Sequence, residues 1–349
     1  MTTRQRQRDV RLAFVGFGNV GRRFAELLGG SFGRALRRAG LQARVTGIAT
    51  ARHGAAIDAR GLSLRSCLKR LRAGRELVAL HQGRPLASSP DFIQGVPADV
   101  LIELTTLDPR TGEPALSHVR AGLRRGLHVI TANKGPVAFA LRSLTALARR
   151  RRRRFLYEGT VMDGTPVFNM VERCLPGARV LGFRGTLNTT TTRILTRMEK
   201  GGSFEDALRD AQAAGIAEAD PANDVDGWDA AAKGCALANA LMGASVRPPQ
   251  ANRRGIAAIT PREVRAALRE GRRLRLVVRG ERHRGRVRVR VAPEALFADD
   301  PLVARGCDGA LILETDLMGE ISVLEGPSGV DQTAYAILSD LLALAPDLV

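Results

Sequence analysis

Only four of the 54 basic side chains in this chain are lysines, Lys69, Lys134, Lys200 and Lys233; the rest are arginine. The difference is chemical, because a lysine ammonium whose pKa is depressed can give up its proton, whereas a guanidinium effectively cannot. Two of the four fall in the chain's most distinctive stretches. Lys134 lies in TANKGP (131–136), and Lys233 closes GIAEADPANDVDGWDAAAK (215–233). The second stretch sets five acids, Glu218, Asp220, Asp224, Asp226 and Asp229, in a chain of net charge +19. Asp229 and Lys233 are four residues apart at the start of a helix expected to run to Leu241, so their side chains share a face. As a surface ion pair they would contribute little. As a site, an ammonium tuned by a carboxylate suits proton transfer at a carbonyl or hydroxyl oxygen. The surrounding acids suit the α-amino group of an amino-acid-like small-molecule substrate.

A second constellation is GFGNVG, in which Gly16, Gly18 and Gly21 form a GxGxxG around Asn19 and Val20. The first glycine permits a tight turn, the second lets a pyrophosphate approach the backbone, and the third lets helix meet strand. A β-prone run (10–15) precedes it and a helical stretch, about 22–38, follows, so the helix N-terminus supplies the positive end for phosphates. That context sets the match apart from chance in a chain with 37 glycines. The end of the second strand (43–49) would carry an acid for a ribose 2′-hydroxyl, yet Ala49, Thr50, Ala51, Arg52 and His53 include none. Arg52 suits a 2′-phosphate, which favours NADP over NAD; an incidental surface arginine is the competing reading. Lys69 is a lesser candidate for the same phosphate.

The elements that must position these groups alternate. Strands are expected at 10–15, 43–49, 100–104 and 127–131, with helices at 22–38, 62–72, 114–125 and 137–150, which implies a parallel sheet covered on both faces. TANKGP then follows a strand of that sheet, placing Lys134 at the carboxyl edge where such sheets bind ligands. Beyond residue 154 strands are expected at 155–157, 180–187, 274–278, 286–291, 310–313 and 321–324, and helices open at Ser203 and Thr260 with acids three residues on. The fold class is therefore α/β: a Rossmann-type parallel-sheet nucleotide-binding domain (1–154) and an α+β domain with a mixed sheet (155–325). The last helix (333–344), within 326–349, is expected to pack back on the first domain.

Composition narrows the function classes. No run reaches the ~20 apolar residues of a membrane helix, and residues 1–11 lack a secretion signal, so a cytoplasmic location is expected, with no membrane partner. Cys67, Cys174, Cys235 and Cys307 show no CxxC spacing, against a disulfide framework or a zinc site. The positive charge would ordinarily raise nucleic-acid binding. Here the skew from lysine to arginine looks like coding bias, the run Arg149–Arg154 suits a helix C-terminus, and two tyrosines and one tryptophan offer little for base stacking. No nucleic-acid partner is expected.

With GFGNVG, ELTT (103–106), TANKGP, EGTVMDGTP (158–166), AEADP (217–221) and DxDGxDAAxK (224–233) in that order, and GP at 326 and TAYAILSDL from 333, the chain resembles homoserine dehydrogenases along nearly its whole length. The resemblance implies NAD(P)-dependent interconversion of L-aspartate 4-semialdehyde and L-homoserine in the threonine and methionine branch of amino-acid biosynthesis. It implies that Lys134 and Lys233 flank the reacting oxygen, Lys233 as acid/base with Asp229 tuning it. Glu218 and Asp224, with Lys134, would hold the substrate. Thr105, Thr106 and Asn133 would line the nicotinamide ribose, with Gly326 closing on the cofactor. Glu158, Val161, Asp163 and Thr165 resemble a loop that holds a monovalent cation such as Na+ or K+ largely through main-chain carbonyls; an ordinary tight turn is the alternative. The 155–325 domain would carry catalysis and form a homodimer.

The chain departs from the family pattern at Thr189, where a small glycine is expected, at Arg193 in place of an aromatic, and at Ile216 in place of a tyrosine; GPSGVDQTA (326–334) replaces a more glycine-rich segment. A chain ending at Val349 leaves no room for the regulatory domain some members carry, so no threonine feedback is expected. Two rivals remain: an acylating aldehyde dehydrogenase, which needs an activated cysteine, and an NAD(P)-binding or RNA-binding regulator without dehydrogenase activity.

Overall fold

A computed structural model describes residues 7–303, 308–327 and 329–348. Two six-stranded sheets organise it. The first contains β1 (Arg8–Val15), β2 (Leu41–Ala49), β3 (Ala55–Ile57), β4 (Val100–Glu103), β5 (His128–Thr131) and β6 (Phe155–Leu156), in the order β3-β2-β1-β4-β5-β6. All neighbours are parallel except β2 and β3. Strand order reverses direction at β1, which opens a crevice at the carboxyl ends of β1 and β4. Leu12, Ala13, Phe14 and Val15 are all buried because helices cover both faces, Leu12 and Phe14 joining one core cluster and Ala13 and Val15 the other.

Those helices are α1 (Asn19–Leu28), α2 (Ser31–Arg38), α3 (Leu64–Arg72), α4 (Ser89–Gly95), α5 (Ala115–Arg125) and α6 (Lys134–Arg150). The single helix expected from residue 22 to 38 is two, broken at Gly29 and Gly30, where glycine disfavours a helix interior. Helix α6 begins three residues earlier than its apolar periodicity implied, because the Asn133 side chain caps it by accepting from the Gly135 amide at 2.8 Å. Lys134 is thereby the first residue of α6. The strand at 155–156, expected to open the second half, instead pairs with β5 as the last strand of the first sheet. Two residues are too few to show period, so only pairing reveals where they belong.

The second half holds α7 (Phe168–Cys174), β7 (Val180–Thr186), α8 (Thr189–Glu199), α9 (Phe204–Ala213), α10 (Ala222–Val225), α11 (Trp228–Leu241), β8 (Asn252–Arg253), α12 (Pro261–Arg269), β9 (Arg272–His283), β10 (Arg286–Phe297), β11 (Gly309–Thr315) and β12 (Gly319–Glu325). Its sheet runs β12-β11-β7-β9-β10-β8 and is antiparallel except for β8 beside β10, the mixed sheet expected. Strands β9 and β10 are each 12 residues long, well beyond their apolar runs, and turn through Arg284 and Gly285, both at positive φ. Ser203 and Thr260 cap α9 and α12 as the sequence indicated.

Helix α11 joins the two halves. Ala230, Ala231, Cys235, Ala236, Leu237 and Ala238 are buried in a cluster that also takes in Ala13 and Leu101 of the first sheet and Val278 and Val289 of the second. Small side chains let it approach closely: a Cβ on Gly234 would lie 2.5 Å from Val278. After β12 the chain returns through α13 (Val330–Ala343) and α14 (Ala345–Leu348), and Ile337, Leu338 and Leu341 share a core with Phe14 and Phe24. The arginines from 149 to 153 lie exposed where α6 ends.

Candidate active site

Between β1 and α1 the glycine turn takes the form its spacing requires. Gly16 has φ +83, and a Cβ there would sit 2.5 Å from the Leu104 carbonyl carbon and oxygen, so neither the conformation nor the space admits another residue. Gly18 faces open space and starts α1 without a side-chain cap, leaving the first amides of the helix available to an anion. Two cavities flank the turn. One of about 430 Å³ is lined by Gly16, Ala49, Thr50, Ala51, Ser89, Thr105, Thr106, Pro114 and His118. The other, about 240 Å³, is lined by Gly18, Asn19, Val20, Gly21, Thr105, Asn133, Lys134, Val161, Asp163 and Lys233. Lys134 and Lys233, 99 positions apart, thus meet the glycine turn in one cleft, whose shape and donors fit a dinucleotide.

Asp229 organises the reactive groups. Its Oδ1 lies 3.3 Å from Lys134 Nζ and its Oδ2 lies 3.5 Å from Lys233 Nζ. Lys233 also donates to the Leu187 carbonyl at 2.6 Å. Asn188, the cap of α8, donates through Nδ2 to Asp224 Oδ1 at 2.6 Å and to Asp229 Oδ2 at 3.1 Å, tying the second carboxylate to the first. Burial alone would push the Lys233 pKa down, but attraction from Asp229, and then from Asp163, Glu325 and Asp224, raises it above the ordinary lysine value. The depressed lysine that an unassisted proton release would need is therefore not the resting state; the ammonium is. For Asp229 burial acts upward, yet Lys233 and Lys134 hold it well below the ordinary carboxylate range. Asp224 moves up through burial and the charge of Asp229, against hydrogen bonds from Asn188 and Thr190 and the charge of Lys233.

A buried carboxylate holds the cofactor-side loops. Glu103, fully buried at the end of β4, accepts from the Thr105 amide at 2.8 Å and the Thr105 hydroxyl through Oε1, and from the Thr131 hydroxyl at 2.7 Å through Oε2. Thr131 Oγ1 accepts from the Asn133 amide at 2.9 Å, and Asn133 Nδ2 donates to the Thr105 carbonyl at 2.9 Å. Sequence reasoning quoted Glu103 in its motif without a role. An acid ending a strand of buried apolar residues was the signal.

Other candidates lie less centrally. Glu218 is exposed, is not among the residues lining the cleft, and contributes its carbonyl to Gln212. Arg52 is exposed in the bend after β2, beside Thr50 and Ala51, which line the larger cavity. Lys69 sits in a separate surface cleft with Glu26 and Arg65. Gly326 is exposed past β12. In the loop after β6, the Glu158 carboxylate accepts from the amides of Val167, Phe168 and Asn169 at 2.6 to 3.1 Å, capping α7. Asp163, at φ +43, accepts from the Thr333 hydroxyl, and Thr165 donates to Glu325. Those side chains are engaged, so a cation in this loop would rely on main-chain oxygens; among the described residues no three His, Cys, Asp or Glu side chains converge as a metal cluster. Glu325, which sequence reasoning missed, is pushed up to about 7 by burial and by Asp163, against Lys233 and the Thr165 hydroxyl, with Asp308 adding to the rise.

The departures at 189 and 193 converge on one residue: Thr189 donates to the Asp308 carbonyl and Arg193 pairs with its carboxylate at 2.7 Å. Ile216 is partly exposed, its carbonyl taken by Thr190. Burial pushes Cys67 up to about 11 and Cys235 up to about 12, which disfavours their thiolates; Cys174 is exposed and is not among the residues lining either cavity at the glycine turn, and Cys307 lies outside the described residues.

Comparison with known proteins bears on this geometry. Residues 16–158 match a family model described as the NAD binding domain of homoserine dehydrogenase, and residues 166–342 match one described as homoserine dehydrogenase. An NAD(+)-dependent homoserine dehydrogenase of Pseudomonas canavaninivorans is 36% identical over 96% of each chain. A homoserine dehydrogenase of Methanocaldococcus jannaschii is 37% identical over 95% of this chain and 97% of its own. Among solved structures, a hyperthermophilic archaeal homoserine dehydrogenase in complex with NADPH has a TM-score of 0.81 at 26% identity, covering 98% of this chain and 99% of its own.

Proposed function

The chain belongs to the homoserine dehydrogenase family, and on that premise we propose how its own residues interconvert L-aspartate 4-semialdehyde and L-homoserine with NAD(P). A bound nicotinamide supplies or accepts the hydride at the carbon that is aldehyde in one direction and alcohol in the other. In the reductive direction Lys233 holds the proton that passes from Nζ to the substrate oxygen. Lys134 offers a second ammonium to the same oxygen, and Asp229 orients both. In the oxidative direction Lys233 must first lose its proton, which the raised pKa opposes, so oxidation gains with alkalinity. Asp224 and Glu218 receive the substrate's polar ends, Asp224 supported by its bond to Asn188 and Glu218 by the resemblance alone.

The observation that carries this reading is that two of the chain's four lysines share one carboxylate in a cleft that also touches the glycine turn. The test is spectrophotometric: purified protein with homoserine, NAD and NADP compared, monitored for reduced cofactor. Turnover with homoserine supports the reading; its absence with both cofactors overturns it.

Arg52 supports a preference for NADP, as do the absence of an acid from residues 49–53 and the positive charge offered to a 2′-phosphate. Thr105, Thr106 and Asn133 border the nicotinamide ribose, and a Na+ or K+ ion, if taken up, uses the main chain around Glu158, Val161, Asp163 and Thr165. A homodimer is supported by the edge strand β12 and its surroundings, where Leu181, Leu317, Met318 and Leu324 are exposed together with unpaired strand backbone. Residues 1–154, with β6 and the C-terminal helices, serve the cofactor, and the rest of 155–325 serves catalysis and dimerisation. No helix among the described residues is long and apolar enough to cross a membrane, and a biosynthetic dehydrogenase of this family is placed in the cytoplasm.

A further inference from the structure

Trp228, the chain's one tryptophan, is the first residue of α11 and the immediate neighbour of Asp229. Two guanidinium groups lie over its ring: Arg253 is 3.8 Å from the ring centroid and Arg110 is 5.0 Å from it. The two arginines come from opposite halves of the molecule. Arg253 ends β8 in the second sheet and also donates to the Asp226 carbonyl, so it grips the chain on both sides of Gly227. Arg110 belongs to the loop that leaves β4 through Thr105 and Thr106 toward Pro114, the loop that lines the larger cavity.

That loop is rigid where Arg110 leaves it. Asp108 accepts from the Arg110 amide at 2.8 Å and the Thr111 hydroxyl at 2.7 Å, and its carbonyl accepts from the Gly112 amide at 2.8 Å. An exposed arginine on a braced turn of the first half thus reaches an indole one residue from the carboxylate that holds both lysines. The ring attracts each of the two like charges; without Arg110 the stack loses its only member from the first half.

We infer that the Arg110–Trp228–Arg253 stack is a latch through which the cofactor-side loop positions the start of α11, making Trp228 and Arg110 positioning residues that act on the reaction through Asp229. The inference rests on the dehydrogenase reading above. A dinucleotide bound against Thr105 and Thr106 bears on this braced loop, Arg110 carries the loop's position to Trp228, and Asp229 keeps Lys134 and Lys233 in register; displacement of the reacting groups by about an ångström is enough to cost a large factor in rate.

The single tryptophan makes the test direct. Steady-state rates of homoserine oxidation are measured for the wild type, Trp228→Phe, Trp228→Leu and Arg110→Ala, and Trp228 emission during NADP titration for the wild type and Arg110→Ala. The latch predicts that Trp228→Leu and Arg110→Ala each lower kcat about tenfold with little change in KM for homoserine. Trp228→Phe, which keeps an aromatic face, should retain most of the activity. NADP should change the emission of the wild type and not that of Arg110→Ala. Wild-type kcat and a wild-type emission response in Arg110→Ala overturn the proposal. Should Trp228→Leu fail to fold, Arg110→Ala, altered only at an exposed side chain, decides alone. A wild type inactive on homoserine would instead defeat the dehydrogenase reading, so the two failures are distinct.

Discussion

Lys134, on the first turn of α6 beside the first sheet, lies 3.3 Å from Asp229 on α11, and this ion pair bridges the two halves of the molecule beside the cleft that Lys134 lines. Asp229 meets Lys233 with its other oxygen, so the two ammonium groups stand together only because one carboxylate lies between them. A pair of cations left half-buried without it would repel and lose protons.

Replacing Asp229 by Asn should therefore shift the pH dependence of the reaction. Burial would then dominate at Lys233 and its pKa should fall. Reduction of the semialdehyde, which needs the ammonium, should lose rate at lower pH than in the wild type, while homoserine oxidation, which needs the free amine, should become active at lower pH. Profiles of kcat/KM in both directions check this, and unchanged alkaline limbs would contradict it.

Arg52 offers a charge to the cofactor without touching the reacting groups. Arg52→Ala should raise the KM for NADP by about tenfold, the scale of one lost charge-assisted contact, and leave that for NAD nearly unchanged. Equal effects on both cofactors would mark Arg52 as an ordinary surface side chain.

Stability should also respond to pH through Asp340 on α13. Burial pushes this carboxyl up to about 8, opposed by its bond from the Glu158 amide and reinforced by the Glu158 charge. The folded state then holds a proton that the unfolded chain releases at ordinary carboxylate pH. The stabilisation is complete below about pH 4 and is lost as pH rises toward 8. Asp340→Asn should flatten this dependence, with a Tm several degrees above the wild type at pH 8 and little difference at pH 4.

Much of this was legible in the sequence because the decisive signals are local. The strand–GxGxxG–helix unit is read from adjacent residues, and the retention of Lys134 and Lys233 against a tide of arginine marks them before any fold is known. Their convergence was not legible from spacing, since α6 and α11 are brought together by tertiary contacts: a shared core, the Lys134–Asp229 pair and the Asn239 side chain donating to the Val137 and Ala138 carbonyls. The roles of Glu103 and Asn188 were hidden for a similar reason: each acts by hydrogen bonds to residues on other elements. Glu158 shows the reverse case, a motif residue whose side chain turns out to cap a helix. Strands β6 and β8, two residues each, carry no periodicity, and the extent of β9 and β10 was hidden by arginines that the fold accommodates through ion pairs, Arg273 and Arg275 with Glu199 and Arg279 with Glu294.

The central claim is that a lysine amine at 233 moves the proton, and the direct measurement is the rate of homoserine oxidation by Lys233→Arg, which keeps the positive charge beside Asp229 while removing a group that can be deprotonated. The account predicts a fall in kcat of about 10² to 10⁴ with cofactor affinity retained. A variant that turns over at a rate close to the wild type would contradict it.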